Sequence, residues 1–244
     1  MIKNFTCAQL IKDIQEIVHS DAHLCPGINH GRAGNLLEDL LGISGGNLDV
    51  ADAVGFELKT TLSPNTPVTL FHKDPKPRGK RGTPGATAIL VDRFGWPSTY
   101  KKTGEPVKSF RATIWGDWQS THTAKRLNIV ANNERVSIMH DNEEVAYWDS
   151  DDLVGAAAAK LRNIMFVEAK NVENGCIDFV QAYLFEQFQP FKFIKAIENG
   201  DIAIDFDART NPGKMSIRNH GTKFRIKEKD LMLIYGRVTP IEKL

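Results

Sequence analysis

Residues 52–59 read Asp-Ala-Val-Gly-Phe-Glu-Leu-Lys, and the end of this stretch predicts a strand with two different faces. Side chains alternate between the faces of a strand, so Glu57 and Lys59 point to one side and Phe56 and Leu58 to the other. We therefore expect an apolar face that packs on a core and a charged face that lines a cleft.

Two carboxylates and an ammonium group are expected to meet on the charged face. Asp52 would reach Glu57 and Lys59 from the turn that precedes the strand. Carboxylates bind Mg²⁺, which keeps waters and substrate phosphates as further ligands, and a neighbouring lysine can orient or deprotonate a water. The pattern D-x4-E-x-K therefore indicates a site that cuts phosphodiester bonds. A solvated, salt-bridged strand face has the same spacing, so this pattern alone leaves both interpretations open.

Length and composition are those of a globular protein. The 244 residues, 41% of them hydrophobic and 25% charged, suffice for one large domain or two modest lobes. No apolar run approaches the roughly 18 residues of a membrane span, and the first residues lack a signal-peptide core. We expect a cytoplasmic protein without a membrane partner. Cys7, Cys25 and Cys176 are widely spaced, which indicates free thiols.

Positive charge is concentrated in three tracts although the whole chain carries only +1. Residues 72–81, 101–111 and 209–229 have net charges of +4, +3 and +6, so the rest of the chain is acidic. If these tracts converge in space, they form a basic surface of the kind that binds nucleic acid. Separate solvated loops are the alternative.

Hydrophobic periodicity and turn residues predict a mixed α+β protein. The expected helices cover residues 7–19, 33–42, 85–94, 151–162 with Ser150 as its cap, 190–200 and 228–235. The expected strands cover residues 57–59, 68–71, 107–115, a meander of 127–130, 136–139 and 145–148, a hairpin of 164–167 and 177–185 around Asn174-Gly175, and 202–206.

Several short motifs along the chain carry a resemblance to a known family. They are GNLLEDLLG at residues 34–42, Asp52, GFELKT at 55–60, TLFHK at 69–73, GDI at 200–202, HGT at 220–222 and FRI at 224–226. In this order and spacing the chain resembles the MvaI/BcnI restriction endonucleases, in the MutH-like branch of the PD-(D/E)xK nuclease superfamily. It departs from the superfamily at Ala51, where a proline usually precedes the first acid.

The resemblance implies a restriction-endonuclease-like mixed sheet flanked by helices, in two lobes that form a DNA cleft. Residues 1–125 would form mainly the catalytic lobe and residues 126–244 mainly the recognition lobe. This boundary is approximate, since the lobes can interleave along the chain.

The same resemblance implies a Mg²⁺-dependent type II restriction endonuclease. Such an enzyme acts as a monomer on both strands of duplex DNA, at a C/G-rich site of the CCNGG type. A cognate DNA methyltransferase would belong to the same system without contacting the endonuclease. A mismatch-repair-type nickase with the same acids and lysine is one alternative, and a DNA-binding protein that has lost catalysis is another.

Site residues follow from the resemblance position by position. Asp52 and Glu57 would hold Mg²⁺ with the Leu58 carbonyl, Lys59 would position the attacking water, and Glu38 would assist from its helix. Two segments would face the DNA. The resemblance gives His72 in the first and Arg218, Asn219, His220, Lys223 and Arg225 in the second. Their basic character adds Lys73, Lys76, Arg78, Lys80 and Arg81 to the first segment and Lys214 to the second.

The two segments are expected to contact different parts of DNA. The lysines and arginines of residues 76–81 lie in an exposed loop that is expected to lack regular structure, which favours contacts with phosphates over contacts with base edges. Arg218 and Arg225 can form a fork with guanine O6 and N7. Arg225 alternates with apolar Phe224 and Ile226, so a salt bridge on a strand face is the alternative for it.

Overall fold

The chain folds into two compact units in the computed structural model, which describes residues 6–25, 31–43, 55–63, 66–120, 127–214 and 216–241. Unit 1 comprises Met1–Val68, Ala157–Pro190 and Lys227–Leu244, and unit 2 comprises Thr69–Ala156 and Phe191–Ile226. Each unit therefore draws on segments from both sides of residue 125.

The described residues form strands interspersed with helices, which confirms the α+β class. The strands are β1 (His23–Leu24), β2 (Glu57–Thr61), β3 (Val68–His72), β4 (Trp96–Thr99), β5 (Pro106–Trp115), β6 (Trp118–Ser120), β7 (Asn128–Ala131), β8 (Arg135–His140), β9 (Glu143–Asp149), β10 (Ile164–Asn171), β11 (Cys176–Phe188), β12 (Ile202–Thr210), β13 (Ile217–Asn219), β14 (Lys223–Ile226) and β15 (Tyr235–Ile241). The helices are α1 (Cys7–Val18), α2 (Arg32–Leu41), α3 (Ala86–Phe94), α4 (Ser150–Leu161) and α5 (Pro190–Glu198), with 3-10 helices at Glu173–Gly175 and Glu228–Ile234. None of the described helices is long and apolar enough to cross a membrane.

Local chemistry sets the ends of the first two helices. The Thr6 hydroxyl oxygen accepts a hydrogen bond from the Gln9 N–H at 3.1 Å, which satisfies a donor of the first turn of α1. Gly42 ends α2 with φ of 70°, a left-handed conformation that glycine adopts without strain. Both helices lie where the periodicity predicts them.

Unit 1 contains a mixed sheet in the order β2-β10-β11-β1, with β15 also paired to β11. Strands β2 and β10 run parallel, whereas β11 is antiparallel to β10, β1 and β15. The hairpin between β10 and β11 turns at Asn174 and Gly175, which have φ of 59° and 72°. This confirms the predicted hairpin.

The apolar face of β2 packs as its alternation predicts. Phe56 and Leu58 are buried in one cluster with Leu10 of α1 and with Leu37 and Leu41 of α2. Burying five such side chains contributes on the order of 10 kcal/mol, at about 1.5–3 kcal/mol each. This core fixes which face of β2 carries Glu57 and Lys59.

Unit 2 contains a seven-stranded sheet in the order β3-β14-β12-β5-β4, with β13 beside β12 and β6 beside β5. The meander β7-β8-β9 forms a separate sheet, as predicted. Aromatic rings fill the core of the unit: Phe71 stacks on Phe224 at 4.9 Å, and Trp148 meets Phe224 edge-on at 5.4 Å.

Two expectations about secondary structure differ from the fold. Ser150 is the first residue of α4 rather than its cap, and its hydroxyl donates to the Asn132 carbonyl. The final segment is a 3-10 helix followed by β15, a strand that the sequence pattern does not predict. Only Tyr235 and Ile241 of β15 are buried, and Pro240 removes a backbone donor, so neither alternation nor propensity marks the strand.

An acid pair in unit 1 generates a prediction about stability. Burial, reinforced by a hydrogen bond with Glu168, raises the pKa of Glu228 to about 7. The folded state therefore holds a proton that the unfolded chain releases near its ordinary pKa of about 4.3. Stability is lost as the pH rises from that value through the folded pKa.

We expect Glu228→Gln to be more stable than the wild type at pH 8, by about 1 kcal/mol after solvent screening of this half-buried group. At pH 5 the difference should be much smaller, because the wild-type carboxyl is then protonated in the fold. Urea unfolding at both pH values measures this. An equal difference at the two pH values would show that proton binding at Glu228 does not set it.

Candidate active site and basic surface

Glu57 is the first residue of β2 and lies beside the start of β10. Its N–H donates to the Asn163 carbonyl at 3.0 Å, and its Cα pairs with that of Ile164. Glu57 is only 5% exposed. The pairing of β2 with β10 thus holds this carboxylate inside unit 1, next to the turn that joins α4 to β10.

Two ammonium groups flank the Glu57 carboxylate, one at each oxygen. Lys59 Nζ donates to Oε1 at 2.5 Å, and Lys160 Nζ lies 3.6 Å from Oε2. Oε2 is buried and accepts no hydrogen bond from the described residues. The two lysines therefore balance the charge of the carboxylate, while the lone pairs of Oε2 are not used in a hydrogen bond with the described residues.

An aromatic layer covers the same face of the sheet. Phe166 lies in register with Lys59 and meets Phe185 edge-on at 6.2 Å, and Phe185 contacts Tyr235 at 5.5 Å. Tyr235 donates its hydroxyl proton to the Leu161 carbonyl at 2.8 Å. Burial raises the pKa of Tyr235 well above its usual value, and the charge of Glu57 adds to the shift. Tyr235 is therefore a neutral hydrogen-bond donor that holds the end of α4.

The donors in this region suit a hard divalent cation. Because the Glu57 N–H points to β10 and successive residues of a strand alternate, the Leu58 carbonyl points toward the opposite edge of β2. A carbonyl and a buried carboxylate oxygen are typical Mg²⁺ ligands. The described residues contain no group of three or more His, Cys, Asp or Glu side chains that could hold a metal, and Asp52 lies outside them.

Glu38 occupies a half-buried position on α2. The buried residues of that helix, Ala33, Leu37 and Leu41, join the core that contains Leu58. Gly34, one turn before Glu38, faces β2, since a Cβ at Gly34 would lie 3.7 Å from Thr60 Oγ1. The fold thus places Glu38 on the helix that packs against β2.

The site differs from the sequence expectation in burial and in its second lysine. We expected Glu57 and Lys59 to line a cleft, whereas Glu57 is almost fully buried. Lys160 and Tyr235 were missed because each lies more than 100 residues from Glu57 in sequence. The only local sign of Lys160 is that it ends a run of four alanines, 156–159.

Asp74 organises the turn that carries the HGT motif in unit 2. It accepts hydrogen bonds from Asn219 Nδ2 at 2.8 Å and from the Thr222 N–H at 3.2 Å. The Lys73 N–H donates in turn to the Thr222 carbonyl at 3.0 Å. The end of β3 and the turn at residues 219–222 therefore form one connected structure.

His72 lies against Gly221 in that structure. Gly221 has φ of 84°, and a Cβ there would come within 2.9 Å of His72 Cδ2. Both the backbone conformation and the close approach require glycine at this position. His72 and His220 are both exposed near this turn.

Aspartates neutralise much of the loop at residues 72–81. Lys73 pairs with Asp152 at 2.8 Å, Lys76 with Asp149, and Arg78 with Asp74 at 3.7 Å. The hydrogen bond to Asp149 raises the pKa of Lys76. Lys80 and Arg81 are exposed. The loop is therefore less positive than its sequence indicates.

A groove of about 450 Å³ in unit 2 collects cationic and aromatic side chains. Arg218 and His220 of the predicted segment line it. The other charged or aromatic lining residues are Trp96, Tyr100, Lys101, Lys102, Arg111 and Arg209. Two of the three basic tracts, 101–111 and 209–229, therefore meet on one surface of this unit.

Strand register explains how the groove forms. Arg209 of β12 lies between Ser109 of β5 and Arg218 of β13. Its guanidinium stacks over the Tyr100 ring at 4.3 Å, which restrains the side chain. Arg111 donates to Asp207 at 3.0 Å. The sequence did not single out Arg209, Arg111 or Tyr100, because their proximity depends on this pairing.

The remaining predicted residues lie in different surroundings. Lys223 and Arg225 both lie 3.6 Å from Asp205, and Arg225 Nε is buried. Lys214 is exposed in a turn where its N–H donates to the Asn211 carbonyl. The surroundings of Arg225 favour the salt-bridge interpretation of that residue.

Known proteins resemble the chain over nearly its whole length. The sequence model of the MvaI/BcnI restriction endonuclease family matches residues 9–235. A solved structure of restriction endonuclease MvaI in complex with its cognate DNA substrate is 26% identical, with a TM-score of 0.77 over 96% of this chain and 97% of that one. MvaI in the absence of DNA is 25% identical, with a TM-score of 0.56 over 99% and 100%. No curated protein sequence matches the chain.

Proposed function

Because the chain belongs to the MvaI/BcnI restriction endonuclease family, we propose that it is a Mg²⁺-dependent enzyme that cuts both strands of duplex DNA as a monomer. Family membership makes it a site-specific deoxyribonuclease of type II. The observation that carries the Mg²⁺ proposal is the buried Glu57 Oε2, an oxygen with no hydrogen bond from the described residues. A target of the CCNGG type and a companion methyltransferase without direct contact are part of the same proposal.

Glu57, the Leu58 carbonyl and Asp52 are the groups that we assign to Mg²⁺. Mg²⁺ bound there would polarise the scissile phosphate and lower the pKa of a bound water. Because Glu57 is only 5% exposed, it is shielded from bulk water, which strengthens its interaction with a cation.

Lys59 is the group that we assign to the attacking water. Its ammonium group hydrogen-bonds Glu57 Oε1, so its position is tied to the same carboxylate. An ammonium group has three donors, and one is used here. The other two can orient a water and stabilise charge on a phosphate oxygen. Glu38 on α2 is assigned a supporting role.

Unit 1 would supply catalysis and unit 2 recognition. Unit 1 holds Glu57, Lys59 and Lys160, whereas unit 2 holds the groove with Arg111, Arg209 and other cations. MvaI, whose solved complex contains cognate DNA, is similar to this chain over nearly all of both, which supports duplex DNA as the substrate. Arginine forks beside aromatic rings suit guanine edges and the DNA backbone.

Removal of the metal-binding carboxylate tests the catalytic assignment. We expect Glu57→Gln and Asp52→Asn to lower the rate of plasmid cleavage in MgCl₂ by at least about 10³-fold, as expected for loss of metal-ion catalysis. DNA binding in CaCl₂, measured by gel shift, should remain near the wild-type level.

The matched control is Asp178→Asn, which removes a carboxylate paired with Lys170 in the same unit. This control should cut at the wild-type rate. Cleavage by Glu57→Gln near the wild-type rate would contradict the assignment of the site. Nicked circles as the final wild-type product would favour the mismatch-repair-type nickase, and DNA binding without any cleavage would favour the inactive binding protein.

The different surroundings of the basic residues predict different effects on DNA binding. We expect Arg218→Ala to weaken binding to the cognate duplex by about 1–3 kcal/mol and binding to random duplex little, because base contacts carry the specificity. Neutralising Lys80 and Arg81 together should weaken both duplexes equally. It should also make the salt dependence shallower by about one unit of slope for each phosphate interaction that is removed.

Arg225→Ala is the comparison for the strand-face arginine. Because Arg225 pairs with Asp205, this variant should lose stability without a selective loss on the cognate duplex. Binding isotherms on cognate and scrambled duplexes at two salt concentrations measure these effects. Equal weakening of both duplexes by Arg218→Ala would place sequence reading elsewhere in the chain.

A further inference from the structure

Lys160 lies at the charged centre of unit 1 but has no place in the catalytic assignment above. Its Nζ is 3.6 Å from Glu57 Oε2, and its side chain is 18% exposed. Lys59 contacts the other oxygen of the same carboxylate. Both lysines therefore contact the same carboxylate, one at each oxygen.

The position of Lys160 is set by the same contacts that set Glu57. Lys160 is in the last turn of α4, and the chain enters β10 after only Leu161, Arg162 and Asn163. Asn163 accepts the hydrogen bond from the Glu57 N–H, and Leu161 accepts the one from Tyr235. These two hydrogen bonds hold the backbone that follows Lys160 against β2 and Tyr235.

The distances at the two oxygens indicate different roles for the two lysines. A separation of 2.5 Å makes Lys59 a direct donor to Oε1. At 3.6 Å, Lys160 is beyond the range of about 2.7–3.2 Å for an N–H···O hydrogen bond, yet close enough for a strong charge interaction. Lys160 balances the charge of the carboxylate without occupying the lone pairs of Oε2.

We propose that Lys160 is a positioning residue of the active site, which holds the Glu57 carboxylate in place and opposes the binding of Mg²⁺ at its Oε2 atom. This inference rests on the proposed Mg²⁺-dependent function. Burying a carboxylate is unfavourable unless nearby charges compensate for its lost hydration, and Lys160 supplies that compensation at Oε2, so it stabilises the metal-free site. The same positive charge repels an incoming cation, and so Lys160 weakens metal affinity.

Lys160 is expected to stabilise the metal-free site and to weaken metal binding. Its loss should therefore change how the protein responds to Mg²⁺, which loss of a purely structural lysine would not do. Lys160→Met keeps the length of the stem and removes the charge. The metal-free protein should then be less stable, because the buried Glu57 Oε2 loses the positive charge beside it and only Lys59, at the other oxygen, remains. Mg²⁺ should restore part of that loss, since it supplies the missing positive charge.

Thermal unfolding of the full chain with and without MgCl₂ measures this directly. The rise in Tm caused by MgCl₂ should be larger in Lys160→Met than in the wild type. Lys160→Arg, which keeps the charge, should behave as the wild type does. Lys160→Gln is the second neutral variant, should Lys160→Met fail to fold.

Mg²⁺ titration of plasmid cleavage provides the second readout. At saturating DNA we expect the half-saturating Mg²⁺ concentration of Lys160→Met to fall by at least about tenfold, because the repulsion between Lys160 and the cation across a few ångströms is lost. The cleavage rate at saturating Mg²⁺ should also fall about tenfold, because Glu57 is less well positioned.

Lys170→Met is the matched control, since Lys170 also belongs to unit 1 and pairs with an acid, Asp178, at 3.0 Å. It should leave both Mg²⁺ readouts unchanged. A Lys160→Met protein that loses stability equally with and without MgCl₂, and keeps the wild-type Mg²⁺ midpoint, would overturn the inference. A wild-type chain that never cuts DNA in MgCl₂ would instead overturn the proposed function.

Discussion

The burial of the Glu57 carboxylate between two lysines is the interaction on which the site depends. An ionised carboxylate is stable inside a protein only when charges or hydrogen bonds compensate for its lost hydration. Lys59 supplies a hydrogen bond at one oxygen and Lys160 supplies charge at the other. The arrangement compensates the buried carboxylate and leaves Oε2 without a hydrogen bond from the described residues.

The fold brings these groups together from distant parts of the chain. Glu57 and Lys59 come from β2, Lys160 follows an insertion that contains most of unit 2, and Tyr235 lies near the end of the described residues. Parallel pairing of β2 with β10 joins the first two segments, and the Tyr235 hydroxyl ties the third to α4. A change in this pairing would therefore disturb the catalytic groups as well as the core.

In unit 2, strand β12 separates apolar from charged side chains, as β2 does in unit 1. Along β12, Ile204, Phe206 and Ala208 are buried, whereas Asp205, Asp207 and Arg209 point to the other face. Asp205 is paired with cations, and Arg209 extends the same row into the basic groove. Acidic side chains thus restrain some cations on this face, while others line the groove.

Local patterns in the sequence predicted much of the fold but only part of the site. The capping residue Thr6, the Gly42 terminator and the Asn174-Gly175 turn act within a few residues, so α1, α2 and the β10-β11 hairpin could be placed in advance. The alternation of residues 56–59 predicted which side chains of β2 reach the core.

Features that depend on long-range pairing could not be predicted in this way. β15 is mostly exposed and contains a proline, so it has no strand pattern. The contacts of Lys160 with Glu57, of Arg209 with Tyr100 and of the loop lysines with their aspartates join segments that lie far apart in sequence.

Sequencing of the ends produced by the wild-type chain on plasmid DNA tests the central claim most directly. With MgCl₂ we expect double-strand breaks at one short C/G-rich sequence, and with EDTA no breaks. Ends of random sequence, or breaks that form equally well in EDTA, would contradict a metal-dependent, site-specific endonuclease.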